Sequence, residues 1–276
     1  MNHKLSLGFS PCPNDTFIFY ALVHRKIKGD MEFSEILKDV ETLNRMALKK
    51  ELDVTKVSFH AFGHLRDDYC LLSSGSALGR GCGPLIVARE QIPVSELADK
   101  TVAIPGELTT AYLLLQLFDP GIKKIIIMPF DRIMNSVSLG TVDAGLIIHE
   151  GRFTYPAYGL VQLVDLGEWW EEATGLPVPL GGILAKRDLG RAAVKEIDRM
   201  LRKSIEYAFE NPTLAREYVK RYARELDDAV IDQHISTYVN DFTLEIGDGI
   251  AAVERLLKTA EELHLIPASE KPVFIE

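Results

Sequence analysis

The chain has no apolar run near the ~20 residues that a membrane-spanning helix needs. Its opening, Met-Asn-His-Lys-Leu-Ser-Leu-Gly, has no apolar segment long enough for a secretory leader, and Pro11 and Asn14 follow at once. Cysteine is scarce. Cys12, Cys70 and Cys82 are an odd number at unrelated spacings with no C-x-x-C pair, which reads as reduced thiols and a cytoplasmic location. Basic charge is in deficit: 31 Lys and Arg against 40 Asp and Glu leave a net charge of −9. That argues against nucleic acid, whose phosphates need a basic face. A small anionic ligand stays admissible, because local donors override net charge. There is no fixed-period repeat, low-complexity tract or long linker. What remains is 276 residues, 47% hydrophobic and 26% charged, enough for one large or two modest α/β domains.

Several chemistries are also missing. The glycine-rich stretch Ser74–Pro84 has no G-K-[ST], and the apolar run after it reads as a strand, whereas a dinucleotide loop opens a helix. It reads instead as backbone entering a strand that crosses between domains, with Arg80 offered as a ligand contact. No G-x-S-x-G elbow is present. Of the histidines at 3, 24, 60, 64, 149, 234 and 264, His60 and His64 would share a helix face. They lack a third ligand and the intervening glutamate of H-E-x-x-H, so no metal is expected. Trp169-Trp170 reads as packing rather than a stacking platform.

What is present alternates between short apolar strands and helix starts. Lys4–Phe9 reads as a strand, followed by a polar turn in which Asn14, Asp15 or Thr16 caps a helix near Phe17. Free N–H groups at such a helix start suit an anion, although most such turns are ordinary β–α connections. Lys56 and Ser58 fall on one face of a strand over Leu52–Phe59. A lysine there either extends its stem to solvent or meets an anion. Thr101–Ile104, then Pro105 to Thr110, repeats the logic of the first turn, with a hydroxyl cap before an apolar helix. The alternation predicts a mostly parallel sheet. After Ala185, amphipathic helices run to the end and never return to strand, so they pack on a sheet already built.

Gly145–Ile148 reads as the apolar end of a buried strand, and His149, Glu150 and Arg152 follow within four positions. Ligands of open α/β sheets bind beyond the carboxyl ends of strands, and a histidine there can accept a proton near neutral pH. The plain alternative is a histidine that only caps a strand end by a hydrogen bond.

Long stretches of the chain resemble a known family: Leu7–Tyr20, Asp39–Asn44, Gly79-Arg-Gly81, Gly145–Glu150, Arg152–Pro156 and Tyr158–Val161 resemble 1,4-dihydroxy-6-naphthoate synthases of menaquinone biosynthesis. The resemblance runs from near residue 5 to beyond Val239. It implies the two-lobed fold of type II periplasmic binding proteins, with a ligand cleft between lobes. Lobe one would be residues 1–92 and 175–276, and lobe two 93–174. It implies conversion of cyclic dehypoxanthine futalosine to 1,4-dihydroxy-6-naphthoate by C–C cleavage with release of a three-carbon fragment, as a lyase without metal or redox cofactor. His149 matches the family's proton acceptor. Lys56-Val57-Ser58 and Thr109-Thr110 match its substrate-binding segments, to which the turn chemistry adds Asn14. A homodimer is left open. A solute-binding protein and the sister enzyme chorismate dehydratase are the alternatives on the same fold.

Overall fold

The computed structural model describes residues 4–275; residues 1–3, which include His3, and residue 276 lie outside the described residues. The chain divides into two compact units, Met1–Gly79 with Pro179–Glu276, and Arg80–Val178.

Unit one opens with β1 (Lys4–Phe9), α1 (Pro13–Val23), β2 (Glu32–Leu37), α2 (Val40–Leu48), β3 (Val54–Ser58), α3 (Phe59–Leu65), β4 (Tyr69–Leu71) and β5 (Ala77–Gly79). The first helix starts earlier than expected. Pro13 takes its first position, where a missing N–H costs nothing, and no side chain caps it. Asn14 and Asp15 therefore lie inside its first turn. Pro13–Leu22 are all buried, as an apolar helix without a polar face must be.

Unit two holds β6 (Leu85–Ala88), a 3-10 turn at Val94–Asp99, β7 (Val102–Ile104), α4 (Thr110–Phe118), β8 (Ile125–Ile127), α5 (Phe130–Ser138), β9 (Ala144–Ile147), α6 (Gly151–Thr154), β10 (Val161–Asp165) and α7 (Leu166–Thr174). The return to unit one is made by β11 (Val178–Lys186), followed by α8 (Arg191–Glu210), α9 (Pro212–Tyr222), α10 (Asp228–Tyr238), α11 (Asp241–Leu244) and α12 (Ile250–Glu262). Helices α1, α8, α9 and α10 share one apolar core with β1, which takes the first three helices of the strand-free C-terminal block, whereas α12 packs against α3.

Each unit is built on one sheet. The first runs β2-β1-β3-β11-β4, with β5 added on β11; the second runs β10-β6-β9-β7-β8. The expectation of mostly parallel strands holds for β2-β1-β3 and for β8-β7-β9. It fails at β11 and β6, which are antiparallel to their neighbours. The placement of residues 80–92 with the first lobe is also corrected. Leu85–Ala88 hydrogen-bonds with β9 and β10, so it belongs to the second sheet. The chain changes unit earlier, within the glycine-rich stretch at Gly79–Arg80.

Close packing holds β9 in place. A Cβ on Gly145 would lie 2.5 Å from Ile133 Cγ2 and 2.8 Å from Val137 Cγ2, so only glycine lets α5 sit this near the strand. No described helix is long and apolar enough to cross a membrane.

Candidate active site

In unit two, β9 lies parallel to β7, and β7 parallel to β8. Their carboxyl ends share one edge of the sheet, where open α/β sheets bind ligands. Three connections emerge there: Pro105–Thr109 after β7, Met128-Pro129 after β8, and Ile148–Glu150 after β9. The sequence expectations at Thr109, Thr110 and His149 thus fall on neighbouring strand ends.

Thr109 caps α4. Its hydroxyl accepts the Tyr112 N–H at 3.2 Å and donates to the Gly106 carbonyl at 2.8 Å. Both Thr109 and Thr110 are buried. His149 is half-buried, and its ring meets the edge of Phe130 from α5 at 5.3 Å between centroids. Its backbone carries a feature that hydropathy patterning does not reveal: φ is +56°, in the left-handed region that non-glycine residues rarely enter. Such a conformation persists only where the surroundings hold it, and it concentrates at functional positions.

Those surroundings are visible. His149 O accepts the Arg152 N–H. The Arg152 guanidinium donates to the Gly83 carbonyl at 2.8 Å and pairs with Asp165 at 2.6 Å. Asp165 in turn caps α7, accepting from the Gly167 and Glu168 N–H groups. Arg152 thus ties the turn after His149 to the body of the unit. Cys82 lies near this anchor as a neutral thiol, since burial pushes it up to about 12. Arg80 is exposed and held by Glu171 and the Gly175 carbonyl, a link internal to unit two.

In unit one, β2-β1-β3 again share a carboxyl edge. The turn after β1 was expected to receive an anion, and it holds an internal one. Asp15 Oδ2 accepts the Ser10 N–H at 3.1 Å and the Ser10 hydroxyl at 2.9 Å. Oδ1 accepts Asn14 Nδ2 at 3.0 Å and Lys56 Nζ at 2.7 Å. The two readings of Lys56 are decided by this contact: it meets an anion, and that anion is Asp15. Both side chains are buried. Asn14 Oδ1 lies 3.0 Å from Nε2 of His234.

Ser58 ends β3 at the same edge, with its N–H on Asn44 Oδ1 at 3.0 Å and its hydroxyl 3.3 Å from Asn44 Nδ2. Val57 is fully buried in the sheet and offers a ligand only backbone. The His60 and His64 rings lie 5.5 Å apart between centroids and tilted to one another, with His60 buried. Burial and the nearby Arg66 charge lower His64's basicity. No group of three His, Cys, Asp or Glu that could hold a metal occurs among the described residues.

A model of the menaquinone biosynthesis family matches residues 5–262. A 1,4-dihydroxy-6-naphthoate synthase of Thermus thermophilus is 53% identical over 272 residues, covering 98% of this chain and 99% of the relative. This chain belongs to the 1,4-dihydroxy-6-naphthoate synthase family of menaquinone biosynthesis. A Streptomyces coelicolor member is 47% identical over 270 residues, covering 96% of this chain and 95% of its own. A crystal structure of an Archaeoglobus fulgidus protein superposes with a TM-score of 0.91 at 42% identity, covering 96% of this chain and 99% of that one. The fold itself reaches further. The alkanesulfonate-binding protein of Xanthomonas axonopodis, solved with MOPS bound, has a TM-score of 0.70 at 13% identity, covering 96% and 94% of the two chains. That likeness establishes the periplasmic-binding-protein fold and nothing about ligands.

Proposed function

We propose that this member of the family is a carbon–carbon lyase that converts cyclic dehypoxanthine futalosine to 1,4-dihydroxy-6-naphthoate, with His149 as the proton acceptor. The observation that carries the proposal is a histidine held in left-handed backbone geometry at the carboxyl edge of parallel strands. Beside it on that edge stands a hydroxyl-capped helix start at Thr109 and Thr110.

The chemistry follows from charge. The substrate bears an aromatic carboxylate and several hydroxyls. The carboxylate suits Thr109, Thr110 and the N-terminal amides of α4, where the helix dipole favours negative charge. Lys56 is neutralised by Asp15, so the pair is a set of directed donors and acceptors rather than a bare cation. With Asn14 and Ser58 it suits hydroxyl groups. A neutral imidazole beside the departing three-carbon fragment accepts the proton that cleavage releases, and aromatisation of the remaining ring drives the step. The hypothesis needs no metal or redox cofactor.

The test is the pair His149→Ala and His149→Asn. Asparagine tolerates left-handed backbone but is no base. Both variants should lose about 10²–10⁴-fold in turnover, the usual share of a general base. Both should still bind substrate in calorimetry. Near-normal turnover by either would sink the assignment. Parallel incubation with chorismate covers the sister dehydratase, and a pure binder would form no new chromophore from either compound.

A further inference from the structure

We infer that His234 is a positioning residue that holds the Asn14 side chain in place and, through Asp15, that of Lys56. The inference rests on the proposed role of Asn14 and Lys56 in holding substrate.

His234 sits on α10 with no solvent exposure, its ring against Tyr238 at 4.7 Å between centroids. It is 220 residues from Asn14 in sequence, and its Nε2 lies 3.0 Å from the Asn14 amide oxygen. The same amide's nitrogen lies 3.0 Å from Asp15 Oδ1. These contacts define one another. An amide carries an acceptor at one end and donors at the other, and an ionised carboxylate accepts only. Asn14 must therefore turn its NH₂ to Asp15 and its oxygen to His234. The histidine must then carry a proton on Nε2, since an amide oxygen cannot donate. A reversed amide would set oxygen against the Asp15 carboxylate, which is unfavourable whichever tautomer the ring takes.

Asp15 receives four donors: the Ser10 N–H, the Ser10 hydroxyl, the Asn14 amide and the Lys56 ammonium. That matches the roughly four lone-pair sites of a carboxylate. Without the His234 donor, the Asn14 amide oxygen loses its partner and the side chain is held only through its NH₂ on Asp15. The amide donor to Asp15 becomes unreliable, and the carboxylate shifts toward its other three donors. Lys56, whose ammonium is aimed by Asp15, shifts with it. His234 acts through this relay. All the groups lie in unit one.

The test uses the full-length protein with cyclic dehypoxanthine futalosine. His234→Phe keeps a ring beside Tyr238 but removes the donor. His234→Gln keeps an amide donor and removes the ring. His234→Phe should raise KM about tenfold with kcat within about threefold, and His234→Gln should restore KM to within about threefold of the parent. In the double variant with Asn14→Ala, His234→Phe should add no further loss, because its effect passes through Asn14. A merely structural role would make the losses multiply and would give Gln no rescue, and either result overturns the inference. If His234→Phe fails to fold, a tenfold rise of KM in folded His234→Gln overturns it equally. An Asn14→Ala variant with unchanged KM would refute the substrate role of Asn14 itself. A raised KM in that variant beside an unaffected His234→Phe would refute only the relay.

Discussion

Replacing Lys56 by methionine tests whether the Lys56–Asp15 pair is a structural charge pair or a surface decoration. The two groups meet at 2.7 Å, with side-chain exposures of 8% and 2%. Exposed ion pairs contribute about 0–1 kcal/mol, whereas removing one partner of a buried pair costs about 3–5 kcal/mol, mostly because the other charge is stranded. Burial puts this pair in the second class. Asp15 would keep three donors after the change, from Ser10 twice and from Asn14. Lys56→Met should therefore fall at the lower end, about 3 kcal/mol. Asp15→Asn should cost more, toward about 5 kcal/mol, because it removes Lys56's counter-charge and an acceptor of Ser10 together. The double variant should be less destabilised than the sum of the singles by about 2 kcal/mol or more, since contacting residues are not additive. Urea unfolding followed by far-ultraviolet circular dichroism measures all three. A loss below about 1 kcal/mol in Lys56→Met, or strict additivity, would refute the reasoning.

Gly145→Ala forces a methyl within 2.5 Å of Ile133, and should cost about 1–3 kcal/mol of stability and slow turnover by displacing the strand that leads to His149, both read on the same preparation. Thr109→Val keeps the shape but removes the cap on the Tyr112 N–H, so the unfolding free energy should fall by about 1–2 kcal/mol with a raised KM. Asp53 predicts an acid limb. Burial would raise its carboxyl, but Ser6's backbone and hydroxyl donors and Lys186 outweigh that and hold it below the ordinary carboxylate value. Its stabilising contribution is present above the unfolded value of about 3.9 and disappears as pH falls through the lower folded value. Asp53→Asn should thus melt below the parent at neutral pH, and the gap should close on acidification; a gap independent of pH would refute this.

How much was legible in the sequence followed from how local each cause is. A cap acts over three residues, so Thr109 could be read before its partner Tyr112 was seen. A strand end is a change of pattern over a few positions, so His149 had an address. The C-terminal helices declared themselves by periodicity and by the absence of any return to strand. Long-range pairing left no such trace. Nothing near Lys56 announces that its anion is Asp15, 41 residues earlier. The true start of α1 was hidden because Asn14, Asp15 and Thr16 all look like caps, while Pro13 settles the matter through its fixed φ. Leu85–Ala88 was given to the wrong unit because a fully buried four-residue strand has no alternation to show which sheet it joins. The left-handed φ of His149 left no mark in the residue pattern around it.

The two units also share a plan that no sequence repeat betrays. In unit one the first, second and third parallel strands are ordered second, first, third, and an antiparallel strand adjoins the third. Unit two repeats this with β8-β7-β9 and antiparallel β6. Right-handed crossovers and buried apolar strands impose such an order with few demands on particular residues, so sequence similarity between the halves need not survive. The chemistry nevertheless falls at corresponding points. The helix start after the first strand holds Asn14 and Asp15 in one unit and Thr109 and Thr110 in the other. The end of the third strand holds Ser58 in one and leads to His149 in the other. One scaffold thus presents donors and acceptors at two equivalent edges, each with a histidine two residues past its third strand, but His60 is buried within α3 whereas His149 is half-buried in a left-handed turn. That asymmetry is why the base is sought at His149 and why the Asn14, Asp15 and Lys56 network reads as holding rather than reacting. If holding is its role, damage to the network should appear in KM and damage to His149 in kcat. A variant of Lys56 or Asn14 that abolished turnover while leaving KM unchanged would contradict that division.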